Sequence, residues 1–210
     1  LFSKIEITDI GCCVIGSVVP PLNHVWERFS IEFLDKKPIF VRHTLNSGIE
    51  LKVTNPYEVG ADRIANAAAA ARFFTEGSFI IDSGTAITLD IITPAKEYVG
   101  GAIMPGIMIA MEAMSQRTAK LPRFELDRPV NAIGKTTLEG LQSGVFFGFV
   151  GMVDRVIEES LREIDFKPEI IATGGLAGAI TTASKYINEF DRDLTLKGLN
   201  IIAGLNREKK

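Results

Sequence analysis

Apolar residues recur along this chain with two periods, and the switches between them mark the expected elements. Residues 10–19 form an apolar run rich in Val, Ile and Cys that stops at Pro20-Pro21, which predicts a buried strand ended by proline. Residues 22–33 place Leu22, Val25, Trp26 and Phe29 at helical spacing, which predicts an amphipathic helix. Ile39-Phe40-Val41 reads as a short strand, and residues 43–52 are polar and irregular. Residues 60–74 are alanine-rich and predict a helix that neighbours can approach closely. Strands follow at 79–82, 86–92 and 97–104, turning at Ser83-Gly84-Thr85 and Thr93-Pro94-Ala95-Lys96. A helix starts at Pro105-Gly106 and runs to about 116, and 121–134 is extended or looped around Pro122 and Pro129. Leu138, Leu141, Val145, Phe149, Met152, Val156 and Ile157 predict a long buried helix over 137–164. A strand at 169–172 ends in Thr173-Gly174-Gly175, and helices follow at 176–184 and 194–205.

Strands mixed with helices, with sharp glycine turns after strands, indicate an α/β fold. Such folds bind ligands at the carboxyl ends of their strands. At 210 residues and 46% hydrophobic content the chain can bury a large core without staples. A formal net charge of −3 gives no reason to expect nucleic acid as a partner. The two cysteines, Cys12 and Cys13, are neighbours on an expected strand, so they point to opposite faces and are read as buried free thiols of a reducing cytoplasm. The apolar stretch 64–74 is too short to span a bilayer. The sequence opens on Leu1 rather than Met, as expected of a trimmed or partial chain.

Several segments could carry chemistry. Gly60-Ala61-Asp62-Arg63 opens the alanine-rich helix. Free N–H groups and Arg63 there suit a carboxylate, and Asp62 could take a proton from a hydroxyl. The plainer reading is a capping Asp62 and a solvated Arg63. In Ile81-Asp82-Ser83-Gly84-Thr85-Ala86-Ile87-Thr88-Leu89-Asp90 a strand ends in an acid, turns on glycine and resumes as a strand. That turn could cradle phosphate while Asp82 holds a cation, or it could be an ordinary hairpin. Thr173-Gly174-Gly175 lets a nucleotide approach, or is only a tight strand-to-helix junction. Gly134-Lys135-Thr136-Thr137 lacks P-loop spacing, and Thr137 is read as a simple helix cap beside Glu139. His24 and His43 are expected at the surface, and no His/Cys cluster suggests zinc.

Taken in order, these segments resemble the type III pantothenate kinase family. Its pattern is matched by Ser17-Val18-Val19-Pro20, Asn55-Pro56-Tyr57-Glu58-Val59-Gly60-Ala61-Asp62-Arg63 and Asp82-Ser83-Gly84-Thr85-Ala86. It continues in Gly100-Gly101-Ala102-Ile103-Met104-Pro105-Gly106, Ala119-Lys120-Leu121-Pro122, Gly134-Lys135-Thr136-Thr137, Gln142-Ser143-Gly144, Thr173-Gly174-Gly175 and Asp193-Leu194-Thr195-Leu196-Lys197-Gly198-Leu199. The resemblance implies the actin-like ATPase and sugar-kinase fold. Its two ribonuclease-H-like halves would be the remainder of the first at 1–75 and the second at 76–210. It implies phosphorylation of pantothenate by ATP at the start of coenzyme A synthesis. Asp62 would be the catalytic base, and Gly60, Ala61, Asp62, Arg63 and Thr137 would bind pantothenate. Gly84, Thr85, Gly174 and Gly175 would bind ATP with Mg²⁺, and Asp82 a monovalent cation, K⁺ or NH₄⁺. A cytoplasmic homodimer is also implied. Two features depart from the pattern. The family's opening Asp-x-Gly-Asn-Thr phosphate loop does not occur in this sequence, and Val53 stands where many relatives carry tyrosine. Other readings are a non-catalytic regulator of the Bvg accessory factor type and a related kinase acting on another small hydroxyl substrate.

Overall fold

The computed structural model describes residues 6–117 and 121–207. The elements run β1 (Val14–Ile15), α1 (Asn23–Leu34), β2 (Ile39–Phe40), β3 (Glu50–Leu51), α2 (Ala61–Phe73), β4 (Ser78–Ser83), β5 (Ala86–Ile92) and β6 (Glu97–Pro105). They continue with α3 (Ile107–Arg117), α4 (Thr137–Leu161), β7 (Glu169–Thr173), α5 (Ala177–Thr181), β8 (Glu189–Phe190) and α6 (Leu194–Asn206). Strands β4, β5 and β6 form an antiparallel meander, extended by parallel pairing of β3 to β6, β7 to β4 and β8 to β7. The sheet order is β3-β6-β5-β4-β7-β8, and β1 pairs with β2 separately. The fold class is α/β, as expected.

Central strand β4 is apolar on both faces because helices cover both. Phe79 and Ile81 pack with Val145, Val153 and Ile157 of α4 and with Ile107 of α3. Ile80, on the other face, packs with the alanines of α2 and with Leu194 of α6. Helix α2 is enclosed from several directions, with nine of its thirteen residues buried. A third cluster ties its Ile64, Ala65 and Ala68 to Val41 after β2 and to Ile202 of α6. Only small side chains permit such approach. A Cβ at Gly198 of α6 would overlap the Ala65 carbonyl group.

The first forty residues depart from expectation. The strand expected over 10–19 is reduced to Val14–Ile15, half-buried, with Val18 and Val19 exposed. Apolar composition does not make a strand without a neighbour, and β1 is matched to β2 over two residues only. Cys12 and Cys13 are free and half-buried rather than buried. Helix α1 forms where periodicity placed it, yet Val25, Trp26 and Phe29 remain about half exposed. Phe29 stacks on Phe33 with ring centroids 5.2 Å apart. Strands β3 and β8, two residues each, carry no periodic signal and were not expected. His24 and His43 are exposed, as expected. Ala119 and Lys120 of one family-like motif lie outside the described residues. No helix among the described residues is long and apolar enough to cross a membrane.

The close crossing of α2 and α6 gives a direct test. Gly198→Ala is expected to destabilise the fold by about 1–3 kcal/mol through overpacking. Gly204→Ala, in the same helix with nothing within 4 Å of the added carbon, is expected to stabilise by up to about 1 kcal/mol. Denaturant midpoints measure both, and equal effects would refute the crossing geometry.

Candidate active site

Register on the sheet assembles the polar centre. Asp82 of β4 pairs with Thr88 of β5 on one side and with Thr173 of β7 on the other. Paired residues share a face, and this one is the face covered by α2. Asp90 lies two residues beyond Thr88 on the same face. The centre sits at the carboxyl ends of the parallel pair β4 and β7, where α/β sheets place their ligands.

Helix α2 points its first turns at this row. Gly60 is the N-cap and Asp62 lies in the first turn. An Asp62 Oδ1 oxygen accepts the Arg63 backbone N–H at 2.8 Å. A side chain at position 60 would place its Cβ 2.5 Å from that oxygen, so glycine leaves room for the carboxylate over the helix mouth. Asp62 thus engages one free N–H of the first turn, although the N-cap position itself belongs to Gly60. The solvated reading of Arg63 is not realised. Its Nε donates to Oδ1 of Asp90 at 2.8 Å, and Nη2 forms an ion pair with the same oxygen at 2.6 Å. Tyr98 donates its hydroxyl to the same oxygen at 2.6 Å, and Thr88 donates to Oδ2 at 3.1 Å.

One turn after Asp62, Asn66 donates its amide to Asp82 Oδ2 at 2.8 Å and accepts from the Thr195 hydroxyl at 2.7 Å. The two glycine turns converge on Asp82. Gly174 has φ +95°, and a Cβ there would stand 2.6 Å from both Asp82 Oδ1 and the Ser83 carbonyl oxygen. Thr85, Gly84 and Gly175 are exposed at this edge. The hydroxyls of Ser83 and Thr173 are buried without a hydrogen-bond partner.

Burial pushes the Asp82 carboxyl above its ordinary range. The Asn66 hydrogen bond opposes that shift, and the negative charges of Asp62 and Asp90 add to it. Burial also pushes Asp90 up, against the bonds from Arg63, Tyr98 and Thr88. Burial opposes the charge of Arg63, but its bond and attraction to Asp90 outweigh this and raise its pKa. Tyr98 is raised by burial and then by the Asp90 charge, so it remains a hydroxyl and a donor. Asp90 and Asp62 thus act on the Arg63 guanidinium, while Asp82 has the Asn66 amide as its donor. Among the described residues no group of three or more His, Cys, Asp or Glu is arranged to hold a metal ion.

A model of the type III pantothenate kinase family matches residues 2–159. The chain belongs to that family. Similar proteins include a type III pantothenate kinase of Anaeromyxobacter sp. (strain Fw109-5), 44% identical over 198 residues, covering 94% of this chain and 78% of the relative. Another, from Geotalea daltonii, is 45% identical over 203 residues, covering 97% of this chain and 78% of the relative. The crystal structure of a conserved protein described as a Baf family transcriptional activator from Campylobacter jejuni shares the fold, with TM-score 0.66 and 21% identity, over 95% of this chain and 86% of that one.

Thr137 stands apart from the centre. It is the first residue of α4, on the opposite face of the sheet from α2. Nor is it the cap. Thr136 caps α4 by accepting the Glu139 N–H at 3.2 Å, and Glu139 accepts the Lys135 N–H. Asn66 and Tyr98 were not anticipated as members, whereas Thr88 and Asp90 lay in the 81–90 segment and Thr195 in a family-like motif without being given a role. Asn66 had a legible signal, a lone amide in an alanine helix four residues after Asp62. Thr195 had none, being 129 residues from its partner.

The raised Asp82 pKa fixes a sign. Ionising Asp82 costs more in the fold than in the unfolded chain, so the penalty is complete above its folded pKa and disappears as pH falls toward 3.8, its ordinary value. Asp82→Asn is therefore expected to raise the melting temperature of the ligand-free protein at neutral pH, with a gain that shrinks on acidification. A gain that grew on acidification would contradict the burial of this charge.

Proposed function

We propose that Asp62 is the general base, and Gly60 to Arg63 the acceptor site, of ATP-dependent pantothenate phosphorylation, the first step of coenzyme A biosynthesis. Family membership assigns that reaction. The observation that supports this division of labour is the Asn66 bridge, which sets the mouth of α2 beside the glycine turns converging on Asp82. The reading as a non-catalytic regulator gives no comparable use for this arrangement.

Phosphoryl transfer depends on positioning and charge neutralisation. The pantothenate hydroxyl attacks the γ-phosphorus, its proton passes to Asp62, and ADP leaves with the bridging oxygen. Asp62 need not be a strong base, because the proton can leave late in a loose transition state. A cavity of about 280 Å³ is lined by Arg63, the residue after Asp62, and by Tyr98, Val53, Val59, Gly101 and Ile103. It suits the acceptor, with Arg63 meeting the carboxylate or amide and so orienting the hydroxyl. The exposed turns at Gly84-Thr85 and Gly174-Gly175 receive ATP, which carries its Mg²⁺ on phosphate oxygens and water.

Asp82 fits a monovalent cation, K⁺ or NH₄⁺. Its Oδ1 faces the space left open by Gly174, and the neighbouring Thr173 hydroxyl is buried without a partner. A bound cation offsets the crowding of negative charge there. Two ribonuclease-H-like halves, 1–75 and 76–210, are the reading of the architecture, with α2 of the first packed on a sheet to which the first contributes β3 and the second the other strands. Because Thr137 lies across the sheet from α2 in its own subunit, its contribution to pantothenate binding calls for a homodimer in which the partner copy supplies it. The cytoplasm, where ATP and pantothenate meet, is the compartment.

In the active enzyme, Asp62→Asn is expected to lower turnover roughly 10²–10⁴-fold while leaving the melting temperature unchanged. Steady-state kinetics and calorimetry check this, and unaltered turnover would remove Asp62 from the base role. Turnover in potassium or ammonium is expected to exceed that in sodium, and Asp82→Asn to abolish the difference. Equal rates in all three salts would count against the cation.

A further inference from the structure

We propose that Asp90 is a positioning residue. It fixes the Arg63 guanidinium edge-on, so that the N–H groups left over face the acceptor cavity. This rests on the reading of Arg63 as the acceptor's anchor.

Asp90 is fully buried, and Arg63 retains 16% of its side-chain exposure. Guanidinium carries five N–H donors in a rigid plane. Nε donates to Asp90 Oδ1, and the adjacent side of Nη2 lies against the same oxygen as an ion pair. Three N–H groups remain, on Nη1 and the outer side of Nη2, and Arg63 lines the 280 Å³ cavity. The Tyr98 ring, 5.7 Å from the guanidinium carbon, borders the same cavity. Its hydroxyl is engaged by Asp90, so Tyr98 offers the cavity a ring and no donor.

Asp90 is itself fixed. Tyr98 holds the oxygen that Arg63 uses, and Thr88 holds the other. With both oxygens engaged, the carboxylate is restrained, and with it the guanidinium edge held at Oδ1. Stability alone does not account for the arrangement, since buried ion pairs are often matched or bettered by apolar residues of equal volume. Asp90 also offsets the charge of Arg63. The recognition this leaves is geometric. The acceptor end that fits is a planar oxygen pair or carbonyl, a carboxylate or amide, meeting the free edge of the guanidinium.

The test is a double-mutant cycle in the active enzyme, reading KM for pantothenate, KM for ATP and kcat, with melting temperatures as the fold control. Asp90→Asn keeps an oxygen acceptor but loses the charge that holds Arg63 in place. It is expected to raise the pantothenate KM about tenfold or more, with a smaller effect on the ATP KM. Thr88→Val leaves every charge unchanged and loosens only Asp90, and is expected to raise the pantothenate KM a few-fold. In an Arg63→Lys background both effects are expected to vanish, because the fork they position is gone. A merely structural Asp90 gives additive effects instead, and additivity overturns the inference. So does a pantothenate KM in Asp90→Asn at or below the parent value. If Asp90→Asn does not fold, Thr88→Val in the two backgrounds decides alone. An Arg63→Lys enzyme with unchanged pantothenate KM overturns the anchoring role of Arg63 and the inference with it. A raised KM there, with additive partners, overturns the inference only.

Discussion

The arrangement depends on how closely one helix can lie against its surroundings. Helix α2 touches the main sheet, α6 and the short β1–β2 pair, and it does so with alanines. Larger side chains would hold these layers apart, since interiors are packed as densely as organic crystals. Asn66 reaches Asp82 with a short amide, and Arg63 reaches Asp90 with its head group. Both contacts require this separation. Gly198 of α6, against the Ala65 backbone, sets the same limit on the other flank.

On that spacing rests a site that is electrostatically unfavourable by itself. Three carboxylates lie near one another, and a single guanidinium, that of Arg63, stands among their partners. Asp90 takes that guanidinium, so Asp82 has an amide donor only, and burial drives its pKa upward. The unpartnered hydroxyls of Ser83 and Thr173 add to the deficit. Such a site is completed by what it binds. On the proposed reading, a cation beside Asp82 would balance negative charge that the protein leaves uncompensated. The stability lost to Asp82 is the kind of local cost expected at a functional centre.

The peripheral segments were the hardest to read. The apolar composition of residues 10–19 and of α1 is real, but apolarity states a preference and not a neighbour. The run became a two-residue strand, and the helix kept its apolar face half exposed. Strands β3 and β8 exist only because a longer strand lies alongside. Two residues have no periodicity to detect.

The central elements were legible because their signals are local. Alanine propensity marked α2, continuous apolar runs bounded by glycine marked β4 and β7, and heptad-like spacing marked α4. Gly60 to Arg63, Asp82 to Thr85 and Thr173 to Gly175 stood out for the same reason, since turns and helix mouths draw on a few residue types. Tertiary structure alone decided their companions. Asp90 became the partner of Arg63 through strand register, 27 residues away, and Thr195 reached Asn66 across 129. It also turned Arg63 from a solvated charge into half of a buried pair and set Thr137 on the far face of the sheet. Local sequence fixes which way a backbone turns. Which side chains meet is set by how separate segments pack, and no short stretch of residues encodes that.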